Sequence, residues 1–258
     1  MKKTFDCKIV RRQVLNDEIF KIDVEKPAEM DEIKPGQFFG IVVGNGYPLL
    51  RRPISVSKVD DKTFELTIKV VGEGTQMLLD MEEGTNVNVL GPVGNGFFLE
   101  DVKKNSIIVG GGIGISPVKE LARVLKNEDN ELPILLGFRD KPFDMDDFHQ
   151  VSSDIEIATE SGVEGTKGYV TSILEERLKK ETIDTVYVCG PHMMLKAVKE
   201  LCEKYDVTTQ LLMEERMACG IGACLVCTCA IKEGHEIKNK RVCKDGPVFY
   251  GNEVVFDV

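Results

Sequence analysis

Residues 106–117 read Ser-Ile-Ile-Val-Gly-Gly-Gly-Ile-Gly-Ile-Ser-Pro, and this stretch decides the fold of the middle of the chain. Its apolar start predicts a buried strand, and the glycines predict a tight turn into a helix. Such a turn lets a pyrophosphate approach the helix N-terminus, where free N–H groups and the helix dipole favour anions. A proline replaces the last glycine of a strict G-x-G-x-x-G pattern, so the prediction depends on the position after a strand. We take Gly111, Gly112 and Gly114 as candidate nucleotide-binding positions.

Strand and helix patterns alternate beyond this turn. Val118, Leu121 and Leu125 share one face of the helix that follows it. The further predicted elements are strands at 133–138, 154–158 and 185–189, and helices at about 169–180 and 194–205. Alternation of this kind predicts an α/β domain with a doubly wound parallel sheet.

A second turn, Cys189-Gly190-Pro191, follows the strand at 185–189 and should reach the same edge of the sheet. Ligands of such sheets bind at the carboxyl ends of the strands. We therefore add Cys189, Gly190 and Pro191 to the candidate positions for a nicotinamide nucleotide. Cys189 is either a contact for the nicotinamide ring or a small residue that closes a strand.

The first hundred residues show the pattern of β-strands. Phe5, Cys7 and Ile9 alternate with polar neighbours, and turn residues recur at short intervals. Several short strands at this spacing predict a small antiparallel barrel.

Two motifs in this barrel point to a flavin nucleotide. Arg51-Arg52-Pro53-Ile54-Ser55 offers arginine, which matches a diphosphate, and a hydroxyl that can donate to or accept from a flavin edge. Gly72-Glu73-Gly74-Thr75 precedes a short helix predicted at 76–81 and offers backbone amides to phosphate. Each alone would be an ordinary surface feature, and together in one barrel they favour a flavin site.

The cysteines give the sharpest signal. Cys219-x4-Cys224-x2-Cys227, with Cys243 farther on, has the spacing of plant-type [2Fe–2S] loops. The alternative is a structural zinc site, which prefers two Cys-x2-Cys pairs where this chain has one. A Rieske centre needs two histidine ligands, and His235 is the only histidine in this region. Cys229 is a fifth thiol, which we assign to a buried position in a strand that leaves the loop.

Composition excludes several classes. The chain has 258 residues and a formal net charge of -10, which argues against nucleic acid or an anionic membrane as main partner. No apolar stretch is long enough to span a bilayer, and no apolar signal segment follows the first residues. Crowding of five cysteines near the end favours metal binding over disulfides. We expect a cytoplasmic protein with a barrel at 1–100, a nucleotide-binding sheet domain at 101–212 and a cysteine-rich module at 213–258.

The order of the RPIS, GEGT, GGGIGISP and CGP motifs resembles the ferredoxin–NADP reductase superfamily. The end of the chain, with Met-Ala-Cys-Gly-Ile-Gly-Ala-Cys-x-x-Cys at 217–227 and Arg-Val-Cys-Lys-Asp-Gly-Pro-Val-Phe at 241–249, is more specific. It resembles the electron-transfer subunits of type B dihydroorotate dehydrogenase, over essentially the whole chain. The resemblance implies FAD in the barrel, NAD in the sheet domain and a [2Fe–2S] cluster in the module. It also implies a separate FMN-containing catalytic chain, in a heterotetramer with two copies of each.

The resemblance also implies site residues, position by position. The implied FAD contacts are Arg52, Pro53, Ile54, Ser55, Ile68, Lys69, Val70, Gly74 and Thr75. The implied cluster ligands are Cys219, Cys224, Cys227 and Cys243. Ile54 departs from the superfamily, which usually has an aromatic residue there, so the resemblance does not extend to ring stacking at that face of the flavin. No acid, base or nucleophile is assigned.

A function follows from combining the three groups. NADH exchanges a hydride, an iron–sulfur cluster passes single electrons, and a flavin does both. The FAD should therefore lie between the other two, on a route from dihydroorotate at the partner's FMN, across the cluster, to NAD+ in pyrimidine biosynthesis. The alternatives are a stand-alone NAD(P)H reductase for ferredoxin or a sulfur compound, and a non-enzymatic flavin or nucleotide sensor with structural zinc. Arg139 and Asp140 favour NADP and NAD respectively, so NAD is implied by the resemblance alone.

Overall fold

The computed structural model describes residues 3–44, 47–100, 105–126 and 131–256. The N-terminal part is a closed barrel in the strand order β1-β2-β5-β4-β3-β6, and every neighbouring pair is antiparallel. The predicted small antiparallel barrel is thereby confirmed. Its elements are β1 (Thr4–Val14), β2 (Ile19–Glu25), β3 (Phe38–Ile41), β4 (Arg52–Val59), β5 (Thr63–Lys69), α1 (Glu73–Leu79) and β6 (Asn86–Val93).

Alternating side chains of these strands fill the barrel. In β1 the buried residues Phe5, Cys7 and Ile9 point inward while their neighbours are exposed, which is the period of a strand with one solvated face. Phe39 and Phe64 stack across the interior with ring centroids 4.3 Å apart. Burial of these apolar side chains is the main stabilising contribution to the barrel.

The α/β domain contains a seven-stranded sheet in the order β10-β9-β8-β7-β11-β12-β15. All pairs are parallel except the last, in which β15 is antiparallel to β12. Its strands are β7 (Ser106–Gly111), β8 (Ile134–Phe138), β9 (Ile155–Thr159), β10 (Thr166–Lys167), β11 (Thr185–Cys189), β12 (Thr208–Leu212) and β15 (Val248–Tyr250). Its helices are α2 (Ile115–Leu125), α3 (Asp146–His149), α4 (Val170–Lys180) and α5 (His192–Lys204).

Helices cover both faces of this sheet, as predicted. Helices α2 and α3 pack on one face, in a core with Tyr187, and α4 and α5 pack on the other, in a core with Val188. The central strands β7 and β11 are buried along their whole length, because both faces are covered. Strand order reverses between these two strands, so the crevice at their carboxyl ends is the topological switch point of the sheet.

The residues after β12 form a second, smaller sheet and also return to the first. Strands β13 (Thr228–Glu233), β14 (Glu236–Arg241) and β16 (Val254–Val255) make a three-stranded antiparallel sheet in the order β14-β13-β16. Between β14 and β16 the chain supplies β15 to the edge of the α/β sheet. The module therefore shares a hydrophobic core with the α/β domain. The first residue of the domain predicted at 101–212 lies outside the described residues.

The barrel packs against helix α2 of the α/β domain. Glu120 accepts a hydrogen bond from the Val59 N–H at 2.9 Å, and Arg123 donates to the Val59 carbonyl at 3.0 Å. The same helix begins at the glycine-rich turn, so the turn and the barrel are joined by one rigid element. No helix within the described ranges is long and apolar enough to cross a membrane.

Candidate functional site

Two predicted nucleotide-binding turns lie side by side at the switch point. Gly110 of β7 is the register partner of Cys189 of β11, so the two turns leave the sheet together. A Cβ added to Gly114 would lie 2.7 Å from the Cys189 carbonyl and the Gly190 Cα. Only glycine allows this approach of backbone to backbone.

The two turns share one side chain and leave an open face. The Met194 thioether occupies the space where a Cβ of Gly111 or of Gly190 would stand. Gly112 has φ 54, and among the described residues no atom lies within 4 Å of the position of its Cβ. The turn is therefore packed tightly from behind and open in front, which leaves backbone room for a phosphate group.

Cys189 and Ser116 are the buried polar groups beside this turn. Burial, with a smaller contribution from Glu214, raises the pKa of the Cys189 thiol well above its ordinary value, so the thiol is neutral. The Ser116 hydroxyl, in the first turn of α2, is buried and has no hydrogen-bond partner in the part of the chain that the structure describes. A bound nucleotide beside the turn would supply such a partner.

The two predicted flavin motifs come together in the barrel. A Cβ on Gly74 would lie 2.7 Å from Nη1 of Arg52, so the guanidinium lies directly over this glycine. Arg52 is held there by a hydrogen bond from its Nη2 to the Leu50 carbonyl at 2.7 Å. One guanidinium and the start of a helix thus face the same space, which suits a diphosphate.

Helix α1 begins earlier than predicted, at Glu73 and not at residue 76. The Thr75 hydroxyl accepts hydrogen bonds from the N–H groups of Val71 and Gly72, at 2.9 and 3.2 Å, and closes the first turn. The Thr75 side chain therefore shapes the motif from within, and its hydroxyl is already engaged.

The remaining residues implied for FAD lie on strand β4, on strand β5 or directly after β5. Pro53, Ile54 and Ser55 pair with β3, and Ile54 packs partly against the barrel core. Ile68 is in that core, so it can offer only backbone groups to a ligand. Lys69 is exposed and forms an ion pair with Glu18 at 3.2 Å, and the Val70 N–H donates to the Glu18 carbonyl.

The four predicted ligand cysteines lie as two pairs. Cys219 lies beside Cys224, and Cys227 lies beside Cys243. Backbone amides also point at sulfur, since Ala223 N–H donates to Cys219 Sγ at 3.3 Å and Cys243 N–H donates to Cys227 Sγ at 3.4 Å. Within the described ranges, no three His, Cys, Asp or Glu side chains converge as a site for a single metal ion. Two thiol pairs suit a cluster in which each of two irons takes two thiolates.

The four thiols differ in their ionisation. Burial opposes ionisation of Cys219 in principle, but the amides of the loop and the Cys224 thiol lower its pKa to about 6. Burial and the neighbouring Cys227 raise the pKa of Cys243 to about 12. The two thiolates of a pair repel each other, and the positive charge of iron is what would let both ionise together.

Arg241 fixes the far side of the cysteine loop. Its guanidinium donates to the Gly222 carbonyl at 3.0 Å and makes a two-point ion pair with Asp245, at 2.9 and 3.1 Å. Gly222 itself has φ 81 and packs against the Lys244 side chain. The end of β14 thus holds the loop in its curved form.

The barrel site and the cysteine loop adjoin each other. Pro53 of the flavin motif and Cys219 of the loop line one narrow crevice, together with Arg51. Arg51 is fixed by hydrogen bonds to the Gly40 carbonyl at 3.1 Å and to Asn88 Oδ1 at 2.7 Å. From the sequence, Arg51 is grouped with the flavin motif, whereas in the structure its guanidinium binds the barrel itself.

Comparison with known proteins agrees with this arrangement. Residues 214–255 match the iron-sulfur cluster binding domain of dihydroorotate dehydrogenase B, and residues 108–200 match the oxidoreductase NAD-binding domain. The chain is 38% identical to the dihydroorotate dehydrogenase B (NAD(+)), electron transfer subunit of Caldanaerobacter subterraneus, over 99% of this chain and 100% of the relative. This chain belongs to that family. The subunit of the same name from Clostridium acetobutylicum is 36% identical over the full length of both chains.

Solved structures place the family fold in a wider group. The NADH-dependent reduced ferredoxin-NADP oxidoreductase structure superposes with a TM-score of 0.85 at 27% identity, over 99% of this chain and 92% of that one. Phthalate dioxygenase reductase superposes with a TM-score of 0.68 at 20% identity, over 90% and 87% of the two chains, and shows the fold alone. The predicted family, the oxidoreductase class and the reductase-like fold are confirmed.

Proposed function

We propose that this chain carries electrons from the FMN of a separate dihydroorotate dehydrogenase chain, through a [2Fe–2S] cluster and FAD, to NAD+ in pyrimidine biosynthesis. The observation that carries the proposal is the order of the sites. The flavin motif shares a crevice with Cys219 on one side, and the turn Gly112–Gly114 lies beside strand β5 of the barrel on the other. The flavin site is therefore between the cysteines and the nucleotide turn. When bound, FAD would accept single electrons from the cluster side and supply a hydride to NAD+.

The residues of the barrel would hold the flavin nucleotide through its diphosphate. Arg52 supplies the positive charge. Because Gly74 has no side chain, the Arg52 guanidinium and the diphosphate would share the space beside it. The backbone of Pro53, Ile54, Ser55, Ile68, Lys69 and Val70 would border the ring system.

The switch-point turns would hold NAD. Gly111, Gly112 and Gly114 would receive the pyrophosphate, and Cys189, Gly190 and Pro191 would border the nicotinamide. The Cys189 thiol is neutral, so it would contribute shape and not proton transfer. The Ser116 hydroxyl has a hydrogen bond to offer at the start of α2.

The cysteine loop would hold the cluster and face the partner. Cys219 with Cys224 and Cys227 with Cys243 would each hold one iron. Cys224 is exposed, and it is surrounded by the exposed apolar residues Ile221, Leu225 and Val226 of the same loop. An exposed apolar patch around a redox group is a suitable docking surface for a partner protein whose own redox group must come close to it. We propose that this face binds the catalytic chain, two copies of each chain forming a heterotetramer in the cytoplasm.

Purification from native cells tests this function. The proposal expects a second flavoprotein that contains FMN to co-elute, and about one FAD with two irons and two labile sulfides per copy of this chain. The complex should reduce NAD+ when dihydroorotate is added under anaerobic conditions. One zinc per chain without labile sulfide would contradict the cluster assignment.

The second candidate is a stand-alone NAD(P)H reductase that exchanges electrons with ferredoxin. The superposition with an NADH-dependent ferredoxin-NADP oxidoreductase over 99% of this chain favours it as the alternative. It predicts that the chain purifies without an FMN-containing partner and reduces ferredoxin from NADH or NADPH. Identification of the co-eluting chains therefore separates the two candidates.

A further inference from the structure

Six charged side chains meet where the barrel packs on the α/β domain, and we call them the interface ion cluster. Three are cations and three are anions. The barrel supplies Lys21 of β2, Lys58 of β4 and Glu65 of β5, and the α/β domain supplies Lys119 of α2, Asp147 of α3 and Asp144 of the loop before α3. The Lys119, Asp144 and Glu65 side chains are only 1%, 4% and 5% exposed. Charged groups are rarely buried to this degree unless they are paired.

Lys119 is the centre of the cluster. Its Nζ lies 2.7 Å from Glu65 Oε1 across the domain interface, and it also contacts Asp144 Oδ2 closely. Lys21 of the barrel reaches across the interface to the α/β domain, where its Nζ lies 2.7 Å from Asp144 Oδ1. The same Nζ lies 3.4 Å from Glu65 Oε2 of the barrel. Each carboxylate of this inner group therefore binds one cation from each domain. An arrangement of this kind fits one relative orientation of the two domains.

The surroundings hold these groups in place. The Ser57 hydroxyl donates to Glu65 Oε1 at 3.0 Å and itself accepts a hydrogen bond from Thr67 at 3.1 Å. Asp144 has φ 55, a left-handed conformation that residues other than glycine rarely adopt. Such a conformation persists where its surroundings over-determine it.

The central lysine of the cluster is held in its charged form. Burial alone lowers the pKa of Lys119, but the Glu65 and Asp144 carboxylates outweigh it and hold that pKa above its ordinary value. A buried ion cluster contributes little net stability, because desolvation of the charges offsets their attraction. Its directional contacts can nevertheless specify a single relative orientation of the barrel and the α/β domain.

Helix α2 connects the cluster to the nucleotide turn. The helix begins at Ile115, directly after the turn Gly112–Gly114, and Lys119 follows about one helical turn, or roughly 6 Å, farther along. Glu120 and Arg123 of the same helix bind the Val59 backbone of the barrel. Any movement of Lys119 relative to the barrel therefore moves the turn by a similar distance.

We propose that Lys119, Glu65 and Asp144 are positioning residues for hydride transfer. The interface ion cluster holds the nucleotide turn at a fixed distance and angle from the flavin site of the barrel. None of the three is among the residues assigned to the flavin or the nicotinamide site, and they act through α2. This inference rests on the proposed function, in which NAD at the turn exchanges a hydride with FAD in the barrel.

The test compares Lys119→Met with Lys199→Met in the complete complex. Lys199 is a matched control, because its ion pair with Glu203 at 2.7 Å lies within the single helix α5. We expect Lys119→Met to lower the single-turnover rate of FAD reduction by NADH about ten- to a hundredfold, since a displacement of about 1 Å has effects of this size. FAD content and NAD+ affinity should stay within about twofold of the control, because each cofactor site is intact within its own domain. The long-wavelength charge-transfer absorbance of the flavin–nicotinamide pair should fall.

The double variant Lys119→Met/Asp144→Asn separates positioning from stability. It restores the balance of charge, so the urea midpoint should return close to that of the unmodified complex. The rate of FAD reduction should stay several-fold low, because the directional contacts are still missing. A purely structural role predicts instead that the rate recovers together with the midpoint, and this result would overturn the inference.

Two further results also decide the matter. If Lys119→Met reduces FAD within twofold of the rate of Lys199→Met, the cluster does not position the nucleotide. If Lys119→Met does not fold, the double variant is measured alone, and a normal rate in it overturns the inference. Failure of the unmodified complex to reduce FAD with NADH would instead reject the proposed function, so the two failures are distinguishable.

Discussion

Two cysteine-bearing turns in this molecule give the same residue type opposite chemistry. In the turn Cys189-Gly190-Pro191 the thiol is buried at the end of a parallel strand, and burial keeps its pKa far above the ordinary value. In the loop at 219–227 the Cys219 thiol is half-exposed, and loop amides lower its pKa to about 6. Glycines occur in both turns, so composition alone does not separate them.

The difference lies in where the backbone N–H groups point. The glycines at the switch point bring backbone against backbone, and a Cβ at Gly114 would lie 2.7 Å from the Cys189 carbonyl. The glycines of the cysteine loop have φ values of 67 and 81 at Gly220 and Gly222, and they curve the chain so that amides face sulfur. One turn is built to make space for a ligand, and the other is built to stabilise negative charge on sulfur.

The largest expected effect comes from breaking the cysteine loop. In Cys224→Ser a harder oxygen replaces a thiolate, so the cluster should be lost or destabilised. Dihydroorotate-driven reduction of NAD+ by the complex should fall by roughly a hundredfold or more, whereas reduction of FAD by NADH should survive, since that step uses only the other two sites. Anaerobic stopped-flow spectroscopy with iron analysis measures both steps.

Cys229→Ser is the matched control for this variant. Cys229 lies on β13, is buried, and belongs to neither thiol pair. It should retain the iron and the visible spectrum of the cluster. For Cys224→Ser, the size of the complex is measured first, to check that its chains still assemble. If the assembled complex lacks the cluster and still reduces NAD+ at the normal rate, the two flavins communicate directly.

The next largest effect is expected at the flavin site of the barrel, which uses neither the cysteine thiols nor the packed glycine turns of the switch point. Arg52→Ala removes the charge that lies over Gly74. Hydrogen bonds to charged groups contribute about 1.5–3 kcal/mol, so FAD affinity should fall about ten- to a hundredfold while the cluster is retained. Flavin fluorescence after dilution gives the affinity, and iron analysis gives the cluster. Unchanged flavin content would show that Arg52 is only a surface cation.

Gly114→Ala tests the packed turn directly. The new methyl group has no room against the backbone of Cys189, and overpacking of this kind costs about 1–3 kcal/mol. The KM for NADH in flavin reduction should rise about tenfold, because the turn must move away from the sheet edge. The iron content should not change. An unaltered KM would mean that NAD does not depend on this approach.

The smallest effect is expected at Cys189, the buried cysteine of the switch-point turn. Burial keeps the Cys189 thiol protonated as the pH rises from 6 to 9, so it gains no charge in this range and adds no titration to the rate. Cys189→Ala should change the rate of FAD reduction by NADH by less than about threefold, with the same pH profile as the unmodified chain. A pH-dependent step that disappears in the variant would show that the thiol takes part in proton transfer.

Local sequence signals predicted the elements that are encoded by neighbouring residues. The strand at 185–189 was placed correctly because a continuous apolar run ends in Gly190-Pro191. The cysteine spacing predicted a loop whose thiols the structure brings together in pairs. In these cases the residues that decide the structure are close together in the chain.

Features that depend on distant residues were missed. Strand β15 has only three residues, and its identity as a strand comes from pairing with β12. The interface ion cluster joins Glu65 and Lys119, which each look like solvated charges in the sequence. One local feature was also missed: α1 starts early because the Thr75 hydroxyl closes its first turn, whereas the glycines at 72 and 74 favour a loop.

The pairing of β12 with β15 also says something about how the cysteine module is attached. Leu212, the last residue of β12, is the register partner of Val248, the first residue of β15. The chain therefore leaves the sheet and returns at two facing residues, and segment 213–247 is an insertion into what is otherwise an antiparallel hairpin. Because a doubling of loop length costs only about 0.6 kcal/mol in closure entropy, the hairpin tolerates an insertion of any moderate size. The segment that carries the cysteines could thus change in length or be exchanged at this point while the pairing of β12 with β15 is kept, and only β16 would lose its partner β13.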